Sequence, residues 1–176
     1  TRCDAGENPN SHDARAVMKK VQDHFFRKAK QDGFAARSAY KLEEIDRKQR
    51  LLRAGMRVLD LGCAPGSWMQ YAAGRVGPKG MVIGVDLQAV TLGLPAQVQV
   101  IQGDVFNLSS ETMGADSTPL DLLMSDMAPK TTGIPSGDAA RSADLALRAL
   151  ELAETLLRPG GDLLVKIFQG ARLQEV

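Results

Sequence analysis

From residue 55 onward the chain is a succession of short apolar runs, most of which end beside an acid or a glycine. The runs cover 57–61, 81–86, 98–101, 120–125 and 162–168. Each has the length of a strand, and continuous apolar character reads as a strand buried on both faces. Between them lie a helical stretch at 68–76, a turn at Pro78-Lys79-Gly80, and the strongest helical pattern of the chain at 139–157. The last of these places Leu145, Leu150, Ala153 and Leu157 on one face, and Pro159-Gly160-Gly161 is expected to stop it. Residues 87–97 contain glycine and proline breaks and leave room for at most a short helix. Apolar strands alternating with connections predict an α/β fold, Rossmann-like, with a mainly parallel sheet and helices on both faces. A length of 176 residues suits a single domain built on one core.

The chain before residue 55 is different. Ala14, Val17, Met18, Val21 and Phe25 recur at helical spacing within 11–30, with Ser11 or Asp13 able to cap the start. Gly33 breaks the pattern, and a second helix is expected over 38–50 with Tyr40, Leu42 and Ile45 partly inward. This divides the domain into a basic N-terminal helical region, 1–54, and an α/β core, 55–176. Residues 1–57 carry 14 of the 22 Lys+Arg but only 8 of the 21 Asp+Glu, a balance of +6 against −5 for the remainder, within a net charge of +1. Arg37, Lys41, Arg47, Lys48 and Arg50 all fall on or beside the second helix. Such asymmetry suits a surface that meets a polyanion, although a solvated helix face would look the same. No apolar run is long enough to cross a bilayer. The two cysteines, Cys3 and Cys63, have no CxxC spacing, and His12 and His24 are not arranged as ligands. No disulfide framework or metal site is expected, and a reducing cytoplasm fits.

In a doubly wound sheet, ligands bind beyond the carboxyl ends of the strands. The first such end reads Asp60-Leu61-Gly62-Cys63-Ala64-Pro65-Gly66-Ser67-Trp68. Its glycines permit a tight turn and close approach of a ligand to backbone. Asp86 closes the second run, where a carboxylate can accept hydrogen bonds from two ribose hydroxyls. Gly103-Asp104 follows the third, where a carboxylate can meet the exocyclic amine of adenine. Together they describe a nucleoside site. A dinucleotide fingerprint would need G-x-G-x-x-G, but Ala64 and Ser67 occupy the second and third glycine positions. That favours S-adenosyl-L-methionine, which has no pyrophosphate, over a nicotinamide dinucleotide. The candidate cofactor residues are Gly62, Gly66, Ser67 and Trp68, then Asp86 and Leu87, then Asp104 and Val105, and finally Asp126 after the fourth run. Taken singly, each has a plainer reading: a turn glycine, or an acid that caps a helix or stabilises a loop.

Lys166 sits in Leu164-Val165-Lys166-Ile167-Phe168-Gln169-Gly170, where a lysine is costly unless it is paired or reaches a cleft. The run Arg37-Ser38-Ala39-Tyr40-Lys41-Leu42, the loop Gly62 to Trp68, the segment Ser125-Asp126-Met127-Ala128-Pro129 and the Lys166 segment resemble, in order, the signature blocks of the FtsJ/RrmJ-type ribosomal RNA methyltransferases. The resemblance covers the chain from about residue 13 to its end. It implies the S-adenosylmethionine-dependent methyltransferase fold and methylation of a ribose 2′-hydroxyl, on a uridine of large-subunit ribosomal RNA. It also implies the large subunit as partner, a monomer, and a Lys-Asp-Lys-Glu tetrad whose first three members match Lys41, Asp126 and Lys166. Gly66, Trp68, Asp86, Asp104 and Asp126 match the family's cofactor contacts. The ribose hydroxyl must lose a proton as it attacks, and a neutral lysine can accept it; burial and a neighbouring cation favour that form, whereas an anion opposes it. Asp126 is therefore given an orienting role.

The tetrad's glutamate lies, in the family, on the last strands of the sheet. The chain ends at Val176, and Glu175 comes too soon to stand in for it. The expectation is a chain lacking the family's C-terminal strands, able to bind the cofactor but methylating poorly alone. Two other readings stay open: a methyltransferase of the same fold acting on a small molecule or protein, and an RNA-binding module without catalysis.

Overall fold

The computed structural model describes residues 33–109 and 118–168; the helix expected at 11–30 lies outside them. Helix α1 (Ser38–Gln49), strand β1 (Arg57–Leu61), helix α2 (Ser67–Val76), strands β2 (Met81–Asp86) and β3 (Val98–Gln102), a 3-10 turn (Val105–Asn107), strand β4 (Leu120–Ser125), helix α3 (Pro135–Leu156) and strand β5 (Leu157–Val165) follow in that order. No helix forms between β2 and β3. The strands make one sheet in the order β3-β2-β1-β4-β5, and every neighbouring pair is parallel. The chain leaves β1 towards β2 on one side and β4 towards β5 on the other. The crevice of this α/β sheet therefore opens above the carboxyl ends of β1 and β4.

The alternation of side chains along each strand builds two apolar layers. Val58, Val82, Leu122 and Met124 pack with Leu42 of α1 and Met69 of α2 on one face. Leu59, Ile83 and Leu123 pack with Ala149 and Leu152 of α3 on the other. The face that α3 buries runs through Ser142, Ala143, Ala146, Ala149, Leu152 and Ala153. Leu150, expected on the inner face, is only half-buried. Small residues win that face because they let the helix lie close to the sheet. The helix also starts earlier than its apolar pattern, at Pro135, which suits a first helical position.

The last strand departs from expectation. The helix ends at Leu156, ahead of the Pro-Gly-Gly stop, and the strand has already begun at Leu157. Leu120 pairs with Leu157 and Leu122 with Asp162, so residues 158–161 bulge out of the ladder. Pro159 has no N–H to give the ladder, and Gly160 takes a positive φ of 75°. Arg158 steadies the bulge by donating from Nε to Asp121 Oδ1 at 2.7 Å. Strand β5 then ends at Val165 rather than at Phe168, so Lys166 stands just past the strand and not inside it. Its N–H still donates to Ser125 O at 2.9 Å.

Helix α1 is fastened to α2 by a buried acid that its hydropathy pattern hides. Asp46 accepts from Leu52 N at 2.8 Å, Tyr71 Oη at 2.9 Å and Arg75 Nε at 3.0 Å. Burial, reinforced by the Asp46 carboxylate, pushes the Tyr71 phenol up to about 12.

Candidate functional site

The first loop turns because Gly62 adopts φ 77° directly beneath the chain that leaves β4. A Cβ there would stand 2.7 Å from Met127 Cγ and 3.0 Å from Met127 Cα, so no other residue fits without movement. Gly62 N donates to Val85 O at 2.8 Å and Asp126 N to Leu61 O at 3.3 Å, which laces the ends of β1, β2 and β4 together. Gly66, with φ 114°, stands at the N-cap of α2 and caps it with no side chain, so the first N–H groups of the helix face the loop. Asp86 organises the loop from beside it, its two carboxylate oxygens accepting from Ala64 N at 2.9 Å and Gln88 N at 2.8 Å. The second lone pair on each oxygen remains available to a ligand. Leu87, next in the chain, is exposed.

Asp104 follows β3 and caps the 3-10 turn, its Oδ1 accepting from Phe106 N at 3.0 Å. Val105 is buried in the layer beneath α3, so its side chain serves the core; the exposed apolar group at this position is Phe106. Trp68 and Ser67 are likewise buried. Trp68 Nε1 donates to Ser38 O at 3.0 Å, and the Ser67 and Ser38 hydroxyls lie 2.7 Å apart. Their side chains therefore fasten the segment ahead of Lys41 to the loop, which leaves their backbone for ligand contact. Gln70 adds two more ties, accepting from Ala35 N at 2.8 Å and donating to Gly33 O at 3.0 Å.

Lys166 and Asp126 meet at the ends of β5 and β4. Lys166 Nζ lies 2.6 Å from Asp126 Oδ1 and donates to the Asp126 carbonyl at 2.8 Å. Both side chains keep a quarter of their surface exposed, enough to face a substrate. Lys41 is exposed on α1, one helical turn after Ser38. Helix side chains lean towards the N-terminus, which directs this amine to the end of α1 that touches Ser67. The structure thus brings Gly62, Gly66, Asp86, Asp104, Asp126 and Lys166 to one rim of the sheet, with Lys41 on the helix bordering it.

Two residues escaped sequence reasoning. Asp60 is wholly buried in β1, and neither carboxylate oxygen has a hydrogen-bond partner among the described residues. Burial, then the nearby Asp126 and Asp86 charges, holds its carboxyl well above the usual range. The signal was available: an acid within an apolar strand poses the same question as Lys166. Gly84 is the other. A Cβ in the middle of β2 would overlap Met69 Sδ and stand 2.8 Å from Cys63 Sγ, so this glycine makes room for the first loop and its helix. Burial, then Asp60 and Asp86, pushes the Cys63 thiol up to about 12.

The rim is acidic. Asp86, Asp104 and Asp126 gather there, with the Lys166 amine held on Asp126. Such a site repels a pyrophosphate and suits a ligand that carries positive charge on sulfur and on an amine. The orphaned oxygens of Asp60 point the same way, since a buried carboxyl without a partner is what an incoming donor satisfies. Among the described residues no cluster of His, Cys, Asp or Glu could hold a metal ion.

Comparison with known proteins adds the following. The FtsJ-like methyltransferase family matches residues 34–176. The chain is 51% identical over 152 residues to ribosomal RNA large subunit methyltransferase E of Syntrophobacter fumaroxidans, covering 86% of this chain and 77% of that protein. It is 48% identical over 161 residues to the protein of the same name from Nitratidesulfovibrio vulgaris, covering 90% and 79%. Among solved structures, a Plasmodium falciparum protein described as a ribosomal RNA methyltransferase superposes with a TM-score of 0.71 at 29% identity, covering 81% of this chain and 82% of that one.

Proposed function

The chain belongs to the FtsJ-like methyltransferase family, and from that premise we propose that it moves a methyl group from S-adenosyl-L-methionine to a ribose 2′-hydroxyl of large-subunit ribosomal RNA, on a uridine. The observation that carries this reading is the Lys166 amine, held on Asp126 at the rim of an acidic nucleoside crevice. S-adenosyl-L-methionine, when bound, supplies an electrophilic methyl on a sulfonium. Everything else falls to the chain. The N–H groups at the start of α2 can receive the methionyl carboxylate, Asp86 the ribose hydroxyls and Asp104 the adenine amine, each at the place where its strand ends.

The ribose hydroxyl is a poor nucleophile until its proton leaves. Lys166, in its neutral form, accepts that proton as the oxygen attacks, and Asp126 fixes the amine in direction through two contacts. Lys41, exposed on the helix that borders the crevice, can draw the phosphodiester backbone towards it. In-line approach of oxygen to methyl is then a matter of position, which contributes much of the rate in such transfers. The reading of the sequence as an RNA-binding module without catalysis leaves the Asp126–Lys166 pair without a task, and a small-molecule substrate leaves the basic helix without one.

The test is nucleoside mass spectrometry of large-subunit RNA from cells with and without the gene. A single 2′-O-methyluridine should vanish with the gene and return with it. Loss of a base methylation instead, or no change in ribose methylation, overturns the proposal.

A further inference from the structure

Helix α3 reaches across to the cofactor rim through one side chain that the reaction itself does not need. Arg148, four-fifths buried, donates from Nε to Val105 O at 3.0 Å and from Nη2 to Leu108 O at 2.9 Å and Phe106 O at 3.5 Å. Its remaining arm meets Glu151 Oε2 at 2.9 Å. The three carbonyls belong to the 3-10 turn that begins at Asp104 and to the residue just after it. The turn is thus held at its start by the Asp104 carboxylate, which accepts from Phe106 N, and at its end by a guanidinium. Its backbone bonds, Asn107 N to Asp104 O and Leu108 N to Val105 O, are local and do not anchor it to the body. It also follows β3, which stands at the end of the sheet order. Among the described residues, Arg148 is the polar link that fixes this turn from outside. The planar fork of arginine reaches these carbonyls from two separated nitrogens, Nε and Nη2; a lysine ammonium has three donors but on one nitrogen, and does not span the same positions.

We propose that Arg148 is a positioning residue for cofactor selectivity: by clamping the Val105–Asn107 turn it aims the second carboxylate oxygen of Asp104 at the exocyclic amine of adenine. The inference rests on the cofactor reading above and deepens it. A carboxylate that accepts from an amine rejects a base bearing a carbonyl at that point, and the rejection is only as sharp as the carboxylate is fixed.

The experiment compares binding of S-adenosyl-L-homocysteine with its hypoxanthine analogue, S-inosyl-L-homocysteine, to the purified protein. The unaltered protein should prefer the adenine ligand by roughly a hundredfold, since the analogue leaves a carboxylate facing a carbonyl. Arg148→Leu should lower that ratio by about tenfold, acting on the adenine ligand and sparing the other, and should raise KM for S-adenosyl-L-methionine while kcat stays within about twofold. Asp104→Asn, whose amide can donate to the hypoxanthine oxygen, marks the fully relaxed ratio. Glu151→Gln removes the negative charge that Arg148 meets on its remaining arm and should leave the ratio unchanged. If Arg148→Leu does not fold, Arg148→Lys decides by the same ratio, which should fall part of the way. An undiminished ratio in the Arg148 variant, or an equal loss for both ligands, overturns the inference. Failure of the unaltered protein to bind either ligand would instead sink the cofactor reading, and this inference with it.

Discussion

Asp60 is an acid enclosed within the sheet, wholly buried in β1. Its carboxyl is held well above the usual value of 3.8, by burial first and then by Asp126 and Asp86. The folded state therefore keeps a proton that the unfolded chain releases, so this residue's contribution is present in full below the unfolded value and is lost as pH rises through and beyond it. Asp60→Asn has no proton to lose. In urea unfolding of the ligand-free protein, the variant should gain stability over the parent at pH 8, and the gain should shrink at pH 5. A constant difference between the two would contradict the assignment. Cys63 follows from the same burial: with its thiol pushed up to about 12, it should resist alkylation in a Cys3→Ser background until the protein unfolds, as mass spectrometry would record. At this scale the sequence was legible wherever a residue type was unusual for its surroundings. Lys166 declared itself among apolar neighbours, and the glycines of the first loop marked its turn. Gly84 did not, because nothing in a strand's composition reveals which side chains from elsewhere will need its empty side.

At the scale of elements, strands read well and their connections less so. Strands β1, β2 and β4 were legible to the residue, because burial on both faces leaves a mostly apolar run, interrupted by Asp60 in β1 and Asp121 in β4. Strand β5 was displaced, because its first residues pair before a bulge that composition reads as a stop. Side-chain ties were invisible altogether. Asp46 looks like any acid on a charged helix, yet it joins α1 to α2 and so fixes the helix that bears Lys41. Asp46→Ala should leave the Leu52 N–H and the Tyr71 hydroxyl without partners and cost about 2–4 kcal/mol in urea unfolding. A loss under half of the lower figure would show that α1 is held by its apolar face alone. Gly84→Ala should cost about 1–3 kcal/mol through overpacking against Met69 and Cys63, checked by the same unfolding curves.

The whole molecule divides its charge as it divides its labour. The basic third includes α1 beside the crevice, and the acidic remainder supplies the rim that suits a cationic cofactor. RNA affinity should accordingly fall steeply with salt, and replacing the exposed Arg47 and Arg50 with Gln should flatten the slope of log K against log salt by about 1.5, the loss of two phosphate contacts. The topology explains why residues so far apart in the chain converge: a parallel sheet aligns every carboxyl end on one edge, and the reversal between β1 and β4 opens that edge to a ligand. The most direct measurement is single-turnover methyl transfer from S-adenosyl-L-methionine to unmodified large subunits, with Lys166→Ala set against the unaltered protein. The rate should fall by about 10²–10⁴-fold while the affinities for cofactor and RNA stay within a few-fold. Transfer at an unchanged rate would contradict the role given to the lysine on Asp126.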